Sequence, residues 1–132
     1  MGRRELREKI FSLLFRIEFN HPEDMPEQIK LFFEDEETKT SEKEEMYIAA
    51  KYGNVIAKKE EIDTSINEKA EGWSTERMGK VELTILRLAV YEILYDEEVP
   101  ASVAINEAVE LAKKFGQDGS GRFVNAILAK YV

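Results

Sequence analysis

Apolar residues recur at intervals of three and four along almost the whole chain, and nowhere do they alternate with polar ones over the length of a strand. That period predicts helices throughout. A first helix runs from about Arg3 to Phe19, with Leu6, Ile10, Leu13, Leu14 and Ile17 on one face and Asn20, His21 and Pro22 ending it. A short second helix starts near Pro26, a residue suited to a first helical position, and carries Ile29, Phe32 and Phe33. Asp35 to Thr40 reads as a loop, and Ser41 with Glu44 makes a capping box that opens a third helix toward Ile56. Ile62, Ile66 and Ala70 mark a fourth, with Gly72 and Trp73 as a left-handed stop and its hydrophobic contact. Ser74 is placed to cap a fifth helix reaching Tyr95. Its residues Val81, Leu83, Ile85, Leu86, Leu88, Val90, Ile93 and Leu94 point most ways around the axis, which predicts a central, buried element. Pro100 and Ser102 restart the chain into a sixth helix through Phe115, with Lys113 and Lys114 in its last turn and Gly116 as its stop. Ser120 then caps a seventh, whose apolar set is Phe123, Val124, Ile127, Leu128 and Tyr131.

The chain has 132 residues, 43% hydrophobic and 35% charged, which suits one compact domain spanning 1–132. It has no cysteine and only one histidine, His21, so thiol chemistry, disulfides and the usual zinc sets are excluded. No apolar run approaches the ~20 residues of a membrane span. Arg3, Arg4 and Arg7 open the chain without a signal-type apolar core behind them, so a cytoplasmic protein is expected. Carboxylate pairs such as Glu36 and Glu37, or Glu97 and Glu98, sit in polar surroundings, without the pocket that an acid/base pair needs. No catalysis and no cofactor are expected.

The formal charge of −8 opposes indiscriminate binding to nucleic acid but is unevenly spread. Residues 1–16 carry +3, residues 17–48 carry −8 and residues 99–132 carry +1. Two basic ends would make a local cationic patch if the fold brought them together; the plainer reading is a solvated mosaic. The segment Gly116 to Phe123 has two glycines at phosphate-loop spacing but lacks the lysine that such a loop needs. It does offer a glycine-rich entry to a helix N-terminus with Arg122 beside it. Phe123 and Asn125 could stack on and read an unpaired base, or Phe123 could simply be core. On the first helix Arg4, Arg7, Phe11, Phe15 and Glu18 form a stripe beside the aliphatic face, wider than one core needs. Glu82 shares a stripe with Leu86, Ala89 and Ile93, so it must reach the surface, pair with a cation such as Arg87, or face another protein.

With these residues placed, the chain resembles NusB-type transcription antitermination factors over essentially its whole length. The specific part is Trp73-Ser74-Thr75-Glu76-Arg77, then Val81-Glu82 with Ile85-Leu86-Arg87-Leu88-Ala89-Val90-Tyr91-Glu92, and Val99-Pro100. It continues through Ala104-Ile105-Asn106-Glu107-Ala108-Val109-Glu110-Leu111-Ala112-Lys113 and Ser120-Gly121-Arg122-Phe123-Val124-Asn125. The resemblance implies an all-α fold of about seven helices in two roughly perpendicular bundles. It implies a non-catalytic adaptor that binds boxA-type single-stranded RNA together with ribosomal protein NusE, within the RNA polymerase antitermination complex, in support of ribosomal RNA transcription. Some relatives pair through the RNA-facing surface, so a homodimer is also admitted. Carried onto this chain, the RNA-facing set is Arg3, Arg4, Arg7, Lys113, Lys114, Ser120, Arg122, Phe123 and Asn125, and the NusE-facing set is Phe15 and Glu82. Phe15 stands where the family usually has Tyr, Ser12 where Gln is common, and Ala126 where Gly is usual. The alternative is a protein-binding helical scaffold without RNA specificity.

Overall fold

The computed structural model describes residues 1–132, and all of its regular structure is helical. Seven α-helices follow in order: α1 (Arg3–Phe15), α2 (Met25–Glu34), α3 (Glu42–Ala57), α4 (Lys59–Lys69), α5 (Lys80–Tyr95), α6 (Ala101–Phe115) and α7 (Ser120–Leu128). The chain divides into two compact units, Met1–Ile56 and Ala57–Val132.

In the first unit α1 stops four residues short of the expected Phe19, and Arg16–Glu18 tighten into a 3-10 turn. Arg16 accounts for local order there: its guanidinium lies 5.2 Å from the Phe32 ring centroid and donates to Gln28 Oε1 at 3.1 Å, tying the end of α1 to α2. The apolar face of α1 buries Ile10, Leu13 and Leu14, while α3 contributes Ile48, Tyr52 and Val55. The capping box that opens α3 is reciprocal. The Ser41 amide donates to Glu44 Oε1 at 2.8 Å, and the Glu44 amide donates to Ser41 Oγ at 3.2 Å. The Ser41 amide, followed by the Met1 ammonium, 3.1 Å from Oε2, holds the Glu44 carboxyl below its ordinary range. A carboxyl so depressed adds stability above its unfolded value and loses it as pH falls through the folded one. The first turn of α3 is therefore expected to fray on acidification only below the ordinary glutamate range, read as a late-titrating Ser41 amide shift in NMR.

The second unit is organised around α5, buried at ten consecutive positions from Leu83 to Glu92, with α4, α6 and α7 packed against it. Arg87 on this helix is only 6% exposed. It meets Asp63 of α4 through two hydrogen bonds, Nε to Oδ1 at 2.8 Å and Nη2 to Oδ2 at 2.9 Å. The expected left-handed stop after α4 is present, with Gly72 at φ +86° and Glu71 also positive at +28°. Ser74, however, does not begin α5. Its carbonyl accepts the Arg77 amide at 3.0 Å, closing Thr75–Arg77 as a 3-10 turn. Met78 then runs extended so that its side chain can bury, and the helix restarts with Gly79 as its cap. At the far end, Leu94 emerges to 46% exposure, so the helix is not buried over its whole length.

Candidate nucleic-acid interface

The link from α6 to α7 is built on two glycines. Gly119 caps α7 with φ +89°, a conformation that suits glycine. Gly116 has an ordinary negative φ but no room: a Cβ there would lie 2.7 Å from the Ala112 carbonyl oxygen and from the Ser120 side chain. Gly116→Ala is therefore expected to cost about 1–3 kcal/mol of folding stability by overpacking. Urea unfolding would measure it, and a neutral variant would show that the link is loose.

Ser120 is the first residue of α7 rather than its cap, and it is buried. Its hydroxyl accepts the Gln117 amide at 3.0 Å and donates to Glu82 Oε2 at 3.1 Å. Through these two bonds Ser120 ties the α6–α7 loop to the first turn of α5. Glu82 is half-buried in the first turn of α5, and its carboxylate folds back over Gly79, where a Cβ would collide with Oε1. The cation proposed to pair with it inside the chain, Arg87, is committed to Asp63.

Between α6 and α7 runs an open groove of about 890 Å³. Ile105 and Val109 are among the side chains along it, with Asn106, Lys113, Arg122 and Asn125 as polar neighbours. Lys113 is exposed and makes only a 3.6 Å pair with Glu110, while Lys114 sits 5.6 Å over the Phe115 ring. Arg122 and Asn125 are exposed at positions three apart, hence on one face of α7. Phe123 is on another. Side chains two positions apart on an α-helix point about 200° from each other, and Phe123 turns to meet Trp73, ring centroids 5.9 Å apart at 81°. Phe123 and Asn125 thus belong to different flanks of α7 and do not clasp a single base between them. Phe123 itself is half-buried, so neither the core nor the contact reading claims it entirely.

On α1, Arg3 and Arg4 are exposed and Arg7 is half-buried. Phe11, 3% exposed, belongs to the core and not to a contact stripe. Phe15 is the middle of a graded ladder: it stacks on Phe11 at 5.8 Å and meets Phe19 edge-on at 5.0 Å, and Phe19 is 62% exposed. Sequence periodicity gave Phe19 no role beyond marking the end of the first helix. Nor did it single out the Trp73 and Arg77 pair, whose guanidinium lies 5.6 Å from the indole centroid.

Comparison with known proteins matches residues 4–132 to the family model described as NusB family. Among curated relatives, the transcription antitermination protein NusB of Agathobacter rectalis is 49% identical over 131 residues, 99% of each chain. That of Lachnoclostridium phytofermentans is 49% identical over 132 residues, covering 100% of this chain and 99% of the relative. The solved structure of T. maritima NusB superposes with TM-score 0.86 at 34% identity, covering 99% of this chain and 90% of that one. A crystal structure of antitermination factors NusB and NusE in complex with dsRNA gives TM-score 0.84 at 27% identity, covering 98% of this chain and 94% of that one.

Proposed function

The chain belongs to the NusB family, and from that premise we propose that it is a non-catalytic antitermination adaptor that binds boxA-type single-stranded RNA together with ribosomal protein NusE. It acts in the cytoplasm, within the RNA polymerase antitermination complex, in support of ribosomal RNA transcription. The observation that carries this reading is the groove of α6 and α7, where exposed Lys113, Arg122 and Asn125 gather at an apolar floor on a chain whose net charge is −8. Fixed cations there hold phosphate, and an amide reads a base edge. Arg3, Arg4 and Arg7 of α1 supply further cations, with Lys114 in support. Phe15 and Glu82 meet NusE. The solved NusB and NusE complex with dsRNA supports both partners. A homodimer formed through the RNA-facing surface would compete with RNA.

Filter binding to a boxA oligonucleotide against a scrambled one tests the reading, alongside pull-down of NusE with and without RNA. Equal, weak retention of both oligonucleotides with NusE still captured would favour a purely protein-binding scaffold. Arg7→Ala and Arg122→Ala should each weaken binding across RNA sequences and reduce the salt slope by about one unit for every phosphate that is no longer neutralised. Unchanged slopes in both variants would remove these arginines from the interface.

A further inference from the structure

Gly79 carries no side chain, and neither its backbone nor its place as the cap of α5 calls for that. Its φ of −62° and ψ of 147° are extended values open to any residue. At a helix cap a serine, threonine, aspartate or asparagine would lend a side-chain oxygen to a free amide of the first turn, and Gly79 has none to lend. What the missing side chain leaves room for is Glu82. A Cβ at position 79 would collide with Glu82 Oε1 and lie 3.3 Å from the carboxyl carbon, so the carboxylate rests in the space that any other residue would fill.

The other carboxylate oxygen is held as well. Glu82 Oε2 accepts from the Ser120 hydroxyl at 3.1 Å. That hydroxyl has little freedom to turn away, because its oxygen takes the Gln117 amide at 3.0 Å and leaves the proton for Glu82. Gly116 confines it further: a Cβ there would lie 2.7 Å from Ser120 Oγ. A glutamate in the first turn of a helix answers the helix dipole from any rotamer. Fixing one rotamer has a use only toward a partner of fixed geometry, which then meets a carboxylate whose side-chain freedom is already spent.

We infer that Gly79 and Ser120 are positioning residues for NusE binding: between them they hold the Glu82 carboxylate in one orientation, ready for the cation that it meets. This rests on the NusE-facing reading of Glu82 above and adds two residues that touch Glu82 and need not touch NusE.

The full chain would be titrated with NusE by calorimetry as the native protein, as Gly79→Ala, Ser120→Ala and Glu82→Ala, and as the two double variants with Glu82→Ala. In Gly79→Ala the backbone stays in an allowed region and the colliding atom is the end of a flexible side chain, so the variant should fold with its carboxylate displaced. It should bind NusE about 2- to 12-fold more weakly, the cost of ordering one flexible side chain on binding. Ser120→Ala removes the donor without adding bulk and should weaken binding in the same range. In the Glu82→Ala background neither substitution should weaken it further, because the group through which both act is gone. Thermal melts check that each variant folds, and if Gly79→Ala does not, the Ser120 pair carries the test alone. Equal losses with and without Glu82 would overturn the inference, since the two residues would then support the fold and not the carboxylate. Native affinity in the folded single variants would overturn it too, with the NusE reading intact. Native affinity in Glu82→Ala, or no binding by the native chain, would overturn the NusE-facing reading and the inference with it.

Discussion

Arg87→Ala is expected to lose about 3–5 kcal/mol of folding stability, because it would strand the half-buried Asp63 carboxylate after removing its bidentate partner. Arg87 is 6% exposed, and its two bonds to Asp63 are short, at 2.8 and 2.9 Å. Lys59, at 3.9 Å from Asp63 and 40% exposed, is too far and too solvated to substitute. Asp63→Asn should cost less, since an amide oxygen can still accept one of the two bonds. The pair fastens α4 to α5, so the loss should appear as a lower urea midpoint for the second unit. A loss within about 1 kcal/mol would mean that water reaches the pair, whose worth would then be that of a surface bridge.

Glu82→Ala is expected to weaken association with NusE by about 2–5 kcal/mol if the facing cation is left buried, and by far less if that cation is solvated. Residue pattern alone suggests that the isolated variant should fold as well as the native chain, since Ala is the better helix former. The Ser120 bond changes that. Removing the carboxylate leaves a buried hydroxyl without its acceptor, a cost of about 1–3 kcal/mol, whereas deleting both groups in Glu82→Ala with Ser120→Ala should come close to neutral. Glu82→Gln separates the two duties of this side chain, because the amide oxygen can still accept from Ser120 while the charge is gone. It should fold normally and bind NusE poorly. Native-like affinity in Glu82→Gln would sink the partner-facing assignment.

How far the sequence could be read depended on what fixed each element. Where helices are bounded by local chemistry, as at the Ser41 and Glu44 box, at Pro100 and at Gly72, the boundaries are legible, since the determining atoms lie within four residues. The start of α5 is set differently. Ser74 is a sound cap by local rules, but burial of Met78 decides where the chain becomes helical, and burial is a property of the packed unit. The same distinction separates the site residues. Arg122, Asn125 and Lys113 could be anticipated because a glycine-rich entry to a helix announces itself. The inward bonds of Ser120 and the pairing of Trp73 with Phe123 could not, because their partners are 38 and 50 positions distant in the chain.

The ten-residue buried run of α5 also bears on how the protein is made. A helix buried on every side leaves no face to solvent, and its covers arrive at different times. α4 precedes it, whereas α6 and α7 are translated afterwards, the latter ending at Leu128. At about 5–20 residues per second, the ribosome leaves Leu83 to Glu92 half-covered for on the order of seconds. A chain truncated between Tyr95 and Ser120 would present that uncovered side to solvent, so such a fragment should be captured by chaperones and yield little folded protein.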